Sequence, residues 1–298
     1  MITITFSDYI EHIYNSFEEI VDVENYNEII YINCWSNKLF NIPKLPNSLK
    51  ILKCYNNKLS RLPDLPNSLT ELHCESNNLS NLPELPNTLI ELYFDDNNLS
   101  NLPKLPNSLK IIDIDYNKLS NLPELPNSLE TLYCSHNNIY KLPELPNSLI
   151  DLHCDNNKIS SLPEIPNSMK LLNCGHNNLS GLPELPNSLL ELYCTNNKIS
   201  SLPELPNSLI TLYCWDNKIT NLPELPNPLI HFEYYNNPIL EYIEQYFDND
   251  IYKYIEHQRQ MKKIFVNKIG EWFLDCKYNP KYLYCRKRLM KEYEELYT

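Results

Sequence analysis

Residues 61–80 read RLPDLPNSLTELHCESNNLS, and residues 181–200 read GLPELPNSLLELYCTNNKIS. The two stretches match at most positions without a gap. Nine full copies of this 20-residue unit run from Asn41 to Thr220, with a weaker copy before them at 21–40 and another after them at 221–240. A fixed period of this length marks stacked units rather than a globule. The copies share the consensus Leu-x-x-Leu-x-Cys-x-x-Asn-x-Leu, as in Leu69, Leu72, Cys74, Asn77 and Leu79. The alternation of Leu72 and Cys74 is that of a strand with one buried face, and Glu71, His73 and Glu75 then point to the other face. One short strand per copy, always in the same direction, builds a parallel sheet.

The return path is proline-rich. Twenty of the 23 prolines occupy two positions of the repeat, such as Pro83 and Pro86. Proline has no N–H for a sheet ladder and holds φ near the polyproline II value. Leu-Pro-x-Leu-Pro is therefore expected to be an extended stretch behind the sheet, with Leu82 and Leu85 facing inward. The Asn-Ser or Asn-Thr that follows suits a turn into the next strand. An asparagine recurs at the seventeenth position from Asn37 through Asn137 to Asn237 without a miss. Its amide both donates and accepts, so a stacked column of asparagines can satisfy the backbone groups of a tight bend. Ordering 20 residues costs roughly 1–2 kcal/mol each in backbone entropy. Burying about six apolar side chains returns roughly 1.5–3 kcal/mol each. One copy alone does not fold; stacked neighbours supply the missing interface, and the ends need caps.

The pattern Leu-Pro-x-Leu-Pro-x-x-Leu-x-x-Leu-x-Cys-x-x-Asn-x-Leu resembles the short bacterial-type leucine-rich repeat of secreted effectors, with cysteine where that class usually has valine. The resemblance covers residues 21–240. It implies an α/β solenoid: a right-handed leucine-rich-repeat horseshoe with a concave parallel β-sheet and a polyproline II convex side. The richness in Asn, Ile, Tyr and Lys, together with Asn-Pro-Lys-Tyr-Leu-Tyr-Cys-Arg-Lys-Arg at 279–288, also resembles leucine-rich-repeat proteins of giant amoeba viruses.

Both ends are expected to be helical caps. Over 7–20, Ser7 reads as an N-cap, and Tyr9, Ile10, Ile13, Phe17 and Ile20 recur at helical spacing, so 1–20 reads as an N-terminal cap. Residues 241–298 read as two or three helices, with Ile251, Ile255, Met261, Ile264, Phe265, Ile269, Trp272 and Phe273 near one face. Tyr282, Cys285, Leu289, Tyr293 and Leu296 read as a last helix. Residues 251–298 carry a net charge of +5 against −13 for the whole chain, so the body is far more acidic than the tail. That asymmetry leaves open a basic docking module on Arg286, Lys287, Arg288 and Lys291. The overall negative charge argues against nucleic acid and anionic membrane as partners. No signal-like or bilayer-spanning run is legible, so the expected compartment is the cell interior, the host cytoplasm if the chain is viral. Asn78, Asn98 and Asn178 then form sequons only by accident of the repeat.

Candidates for chemistry are few. With three glycines, phosphate-cradling loops are not expected. Eight of ten cysteines (Cys34, Cys54, Cys74, Cys134, Cys154, Cys174, Cys194, Cys214) take the inward strand position, where Phe94 and Ile114 replace them. A residue replaceable by phenylalanine is packing, so neither disulfides nor a metal site is expected. Some bacterial effectors of this class carry a ubiquitin-ligase domain with a catalytic Cys-x-Asp; neither Cys276-Lys277-Tyr278 nor Cys285-Arg286-Lys287 fits it. No catalytic set and no cofactor site can be assembled. The outward strand positions vary while the frame does not, and they hold the candidate partner-binding residues. The acidic ones are Glu71, Glu75, Glu91, Asp95, Asp113, Asp115 and Asp155. His73, Tyr93 and Tyr133 stand among them. Trp35 and Tyr55 lie toward one end, and Tyr193, Tyr213, Trp215 and Tyr235 toward the other. Adjacent strands about 4.8 Å apart set Glu75, Asp95 and Asp115 side by side as like charges. This row reads as a binding face for a protein with a basic surface, as a merely solvated acidic face, or as oxygen ligands for calcium. The expectation is a non-enzymatic interaction scaffold. The alternative is an adaptor whose solenoid selects a target while the basic tail docks an effector such as a ubiquitin ligase or kinase.

Overall fold

The computed structural model describes residues 1–248 and 250–278. They fall into two units, Met1–Ile239 and Leu240–Thr298. The first is a solenoid with a single sheet of thirteen strands. Eleven of them, from β3 (Ile29–Asn33) to β13 (His231–Glu233), are parallel and follow one another in sequence order. Their register is exact in the repeat, with Glu71 opposite Glu91, Leu72 opposite Leu92 and His73 opposite Tyr93. The strands from Ile51 onward are only three residues long, but pairing continues beyond them: Cys54 N–H donates to His73 C=O at 2.8 Å and Asn56 N–H to Glu75 C=O at 2.9 Å. The sixteenth position of every repeat then turns the chain in the left-handed region, from Ser36 (φ 56°) to Asn236 (φ 52°). Asn, Asp, Ser and His fill most of these sites, the short polar residues that tolerate such a φ.

The asparagine column forms as expected. Asn137 Oδ1 accepts from Leu119 N–H of the preceding coil at 2.9 Å, and its Nδ2 donates to Ile114 C=O at 2.9 Å and Ser135 C=O at 3.1 Å. A second column was not foreseen as more than a turn. Ser68 Oγ donates to Leu49 C=O at 2.6 Å, and Thr88, Ser108, Ser128, Ser148, Ser168, Ser188 and Ser208 repeat the bond one coil at a time. Pro228 replaces the hydroxyl in the last copy. The core is the file of strand leucines, the cysteines with Phe94 and Ile114 in their place, and the leucine or isoleucine two residues after each asparagine from Asn57 to Asn217, all fully buried. Leu85 and Leu105 on the return path are buried, while Leu82 and Leu102 are half-buried.

The N-terminal segment corrects the expected helix over 7–20. It forms a hairpin of β1 (Ile2–Phe6) and β2 (Glu11–Tyr14), and helix is confined to α1 (Phe17–Val21). β1 lies antiparallel on β3, with Ile4 opposite Ile32, so the first coil's open edge is paired rather than covered by a helix. Ile2-Thr3-Ile4-Thr5 is β-branched throughout and alternates, which suits a strand better than a helix. Tyr9 turns with φ 65°. The residues that carried helical spacing at the start, Tyr9, Ile10 and Ile13, are exposed, while Phe17 and Ile20 are buried.

In the second unit, α2 (Ile239–Phe247) and α3 (Ile251–Tyr278) are helices, as expected for this region. Tyr254 packs edge-on against Phe247 and Tyr242. The expected last helix over 282–296, and with it Arg286, Lys287, Arg288 and Lys291, lies outside the described residues.

Candidate functional site

Three columns of side chains run across the solvent face of the sheet, one residue per coil, because the 20-residue period keeps every strand in phase. The first holds Glu71, Glu91 and Asp151; the second His73, Tyr93, Asp113, Tyr133 and His153; the third Glu75, Asp95, Asp115, Ser135 and Asp155. All but Ser135, which is buried, are half-buried.

Some of these groups are tied down by their neighbours. Tyr93 OH donates to Glu91 at 3.0 Å, and Tyr193 OH to Glu191 at 2.6 Å. Residues two apart on one strand share a face, so the Glu-Leu-Tyr spelling is the sequence signal for these pairs. Tyr133 OH donates to Asp151 at 3.0 Å, and His153 Nε2 lies 3.3 Å from the other carboxylate oxygen. The Asp151 carboxylate beside it, against the effect of burial, raises the His153 pKa. His73 stacks on Tyr93 with ring centres 4.5 Å apart and reaches Glu75 at 3.3 Å. Asp155 accepts three side-chain bonds, from Ser135 Oγ at 2.5 Å, Asn173 at 2.9 Å and Asn156 at 2.7 Å. Asn173 and Asn156 were not picked out from the sequence, since only the fold brings them to Asp155.

Asp95, Asp113 and Asp115 differ. Asp113 accepts from the Asp115 backbone N–H at 3.2 Å, and Asp115 accepts from Ser135 N–H at 2.5 Å. Among the described residues, no lysine or arginine forms an ion pair with any of the three. Burial, with Glu75 next, pushes Asp95 up to about 6. Burial pushes Asp113 up to about 6, and burial with the adjacent Asp113 charge pushes Asp115 up to about 7. Burial and the hydrogen bond to Glu91 push Tyr93 up to about 12, and burial with the Asp151 charge does the same for Tyr133. The face is therefore a set of strained carboxylates held beside phenols. Among the described residues, no group of three or more His, Cys, Asp or Glu is arranged to hold a metal ion.

The flanks are aromatic. Trp35 stacks on Tyr55 at 5.7 Å with planes 17° apart, and Trp215 on Tyr235 at 5.2 Å and 8°. Tyr193 meets Tyr213 edge-on at 5.2 Å. Trp35 and Tyr235 remain 49% and 45% exposed, so stacking has not used up their surface. The eight cysteines at the inward strand position are free and buried beneath this face, and Sγ atoms of Cys54 and Cys74 lie 2.9 Å apart. Burial raises their pKa values, to about 12 for Cys174 and Cys214. Among the described residues, no helix is long and apolar enough to cross a membrane.

Comparison with protein-family models gives no match, and comparison with curated proteins gives none. Solved structures do match. The chain is similar to YopM from Yersinia enterocolitica WA-314, at 34% identity and a TM-score of 0.60, over 67% of this chain and 49% of that one. It is similar to the leucine-rich-repeat domain of a Shigella effector at 33% identity and a TM-score of 0.50, over 55% of this chain and 77% of that one. The functional domain of InlJ from Listeria monocytogenes, described as including a cysteine ladder, shares the fold at 24% identity and a TM-score of 0.51, over 67% of this chain and 52% of that one. The chain belongs to the leucine-rich-repeat proteins. It spans about half the length of the YopM chain it matches.

Proposed function

We propose that this protein is a non-enzymatic scaffold that binds another protein on the solvent face of its sheet, and that the bound surface is basic. The observation that carries the reading is the trio Asp95, Asp113 and Asp115. These carboxylates stand on two adjacent coils, half-buried and, among the described residues, without an ion-paired lysine or arginine, at a cost in self-repulsion that the fold does not require. A cationic side chain from a partner would relieve burial and repulsion together. The stacked pairs Trp35–Tyr55 and Trp215–Tyr235 supply exposed aromatic surface of the kind that anchors protein interfaces. Because the three carboxylates are partly protonated near neutral pH, association with a cation expels protons, and affinity rises with pH between about 5.5 and 8.

The test is affinity capture from native cell extract, read by quantitative mass spectrometry, with the paired charge reversal Glu75→Lys and Asp95→Lys. Partners held by the face disappear from this variant. They remain with Glu184→Lys and Glu204→Lys, which alter two exposed carboxylates on the return path. Equal loss in both variants marks nonspecific charge attraction, and unchanged capture in the first removes the face from consideration.

A further inference from the structure

The sheet ends on a strand whose outer edge nothing in the described residues pairs. β2 bonds to β1 along one edge, with Ile2 opposite Tyr14 and Ile4 opposite His12, and it is the last strand in the sheet order. Glu11, His12 and Ile13 are exposed, Ile13 to 64% and the adjoining Ile10 to 55%. An open edge is a row of backbone N–H and C=O groups ready to pair, and monomeric proteins usually blunt it with lysine, proline, a bulge or a covering segment. Glu-His-Ile-Tyr contains neither lysine nor proline, and the hairpin's one register irregularity, at Thr5/Phe6, faces β3 and not the outside.

We propose that the outer edge of β2 docks a second copy of this chain. The two β2 strands pair antiparallel across a two-fold axis, joining two thirteen-stranded sheets into one. The occupant follows from self-complementarity. With the axis at Ile13, that residue faces Ile13 of the second copy, His12 faces Tyr14 twice, and Glu11 faces Asn15 twice. Apolar meets apolar, ring meets ring, and no like charges are opposed. The faces agree as well: Ile13 and Glu11, paired with Thr3 and Thr5, lie on one side of the sheet, and His12 and Tyr14, paired with Ile4 and Ile2, on the other. An axis at His12 would instead oppose two imidazoles and set Glu11 against Ile13. The copies are both strongly acidic, but the acidic columns begin at Glu71, four strands in from β2 and so about 19 Å away. That exceeds two Debye lengths at physiological salt, so repulsion between the two faces is screened. The pairing does not depend on what the acidic face binds, and it would place two such faces on one continuous sheet.

Sedimentation of the full chain over a range of concentrations tests this. A reversible monomer–dimer equilibrium is expected, with Ile13→Lys raising the dissociation constant at least about tenfold by opposing two ammonium groups on the axis. Ile230→Lys, at a residue 74% exposed elsewhere, leaves it unchanged. Circular dichroism confirms that both variants fold. Ile13→Cys gives a second reading. Paired residues of an antiparallel ladder have Cα atoms about 4.5–5.5 Å apart, within disulfide range, so diamide should link this variant into a covalent dimer through residue 13 itself, as read by peptide mapping. A chain that sediments as a monomer throughout overturns the proposal. So does a dimer that survives Ile13→Lys, or one that Ile13→Cys fails to cross-link.

Discussion

Asn137→Leu tests the physical basis of the solenoid at a single side chain. In the wild type the amide spans two coils: Oδ1 takes the Leu119 N–H at 2.9 Å, and Nδ2 serves Ile114 C=O at 2.9 Å, Cys134 C=O at 3.3 Å and Ser135 C=O at 3.1 Å. Leucine makes none of these bonds. Leu119 is fully buried, so its N–H is stranded outright, at about 1–3 kcal/mol. Ile114 C=O keeps a weaker contact from Asn117 at 3.3 Å, and its loss is about 1 kcal/mol. The expected destabilisation is about 3 kcal/mol. Asn37 occupies the same column at the first coil, where its bonds to Met1 and Trp35 are solvent-exposed and water can replace them. Asn37→Leu should cost under about 1 kcal/mol. Urea unfolding followed by circular dichroism measures both, with the m-value checked for loss of cooperativity, since stacked repeats can unravel from the ends. Equal costs for the two variants, or less than about 1 kcal/mol at Asn137, would refute the column as the source of inter-coil cohesion.

Two further outcomes follow from the same geometry. Asp95, Asp113 and Asp115 titrate near 6, 6 and 7 in the folded chain against about 3.9 when unfolded, so the folded state holds more protons between roughly pH 4 and 7. Their contribution to stability is present in acid and is lost as pH rises through 7; the raised His153 pKa acts in the same direction. The melting temperature should therefore fall from about pH 5 to about pH 8, and replacing all three aspartates by asparagine should flatten the slope; an unaltered slope would count against them. The cysteines beneath the sheet should resist alkylation at about pH 8 until urea unfolds the chain, because burial holds the thiolate out of reach. Peptide mapping that finds Cys134 or Cys174 modified in the native protein would contradict this.

Local spacing made the solenoid readable before any coordinates. The two-residue alternation of Leu72 and Cys74, the two prolines of each return path and the unbroken column from Asn37 to Asn237 are short-range signals that recur from coil to coil, and stacking in register is their common consequence. The buried role of the cysteines followed because Phe94 and Ile114 stand in for them. The aromatic and acidic columns were readable too, since period-two alternation assigns each residue to a face. Three things needed the tertiary structure. The N-terminal segment has helical spacing at Tyr9, Ile10 and Ile13, yet β3 offers an unpaired edge, and β1 pairs along that edge in the fold; the competition is decided by a long-range partner that spacing cannot show. The serine column depends on each hydroxyl meeting a carbonyl nineteen residues earlier, which a turn propensity does not reveal. Among the carboxylates, sequence treats Asp155 and Asp113 alike. Only the packed coils show Asp155 accepting three side-chain donors while Asp113 is left with a single backbone N–H, because hydrogen-bond supply is a property of neighbouring coils and not of the residue itself.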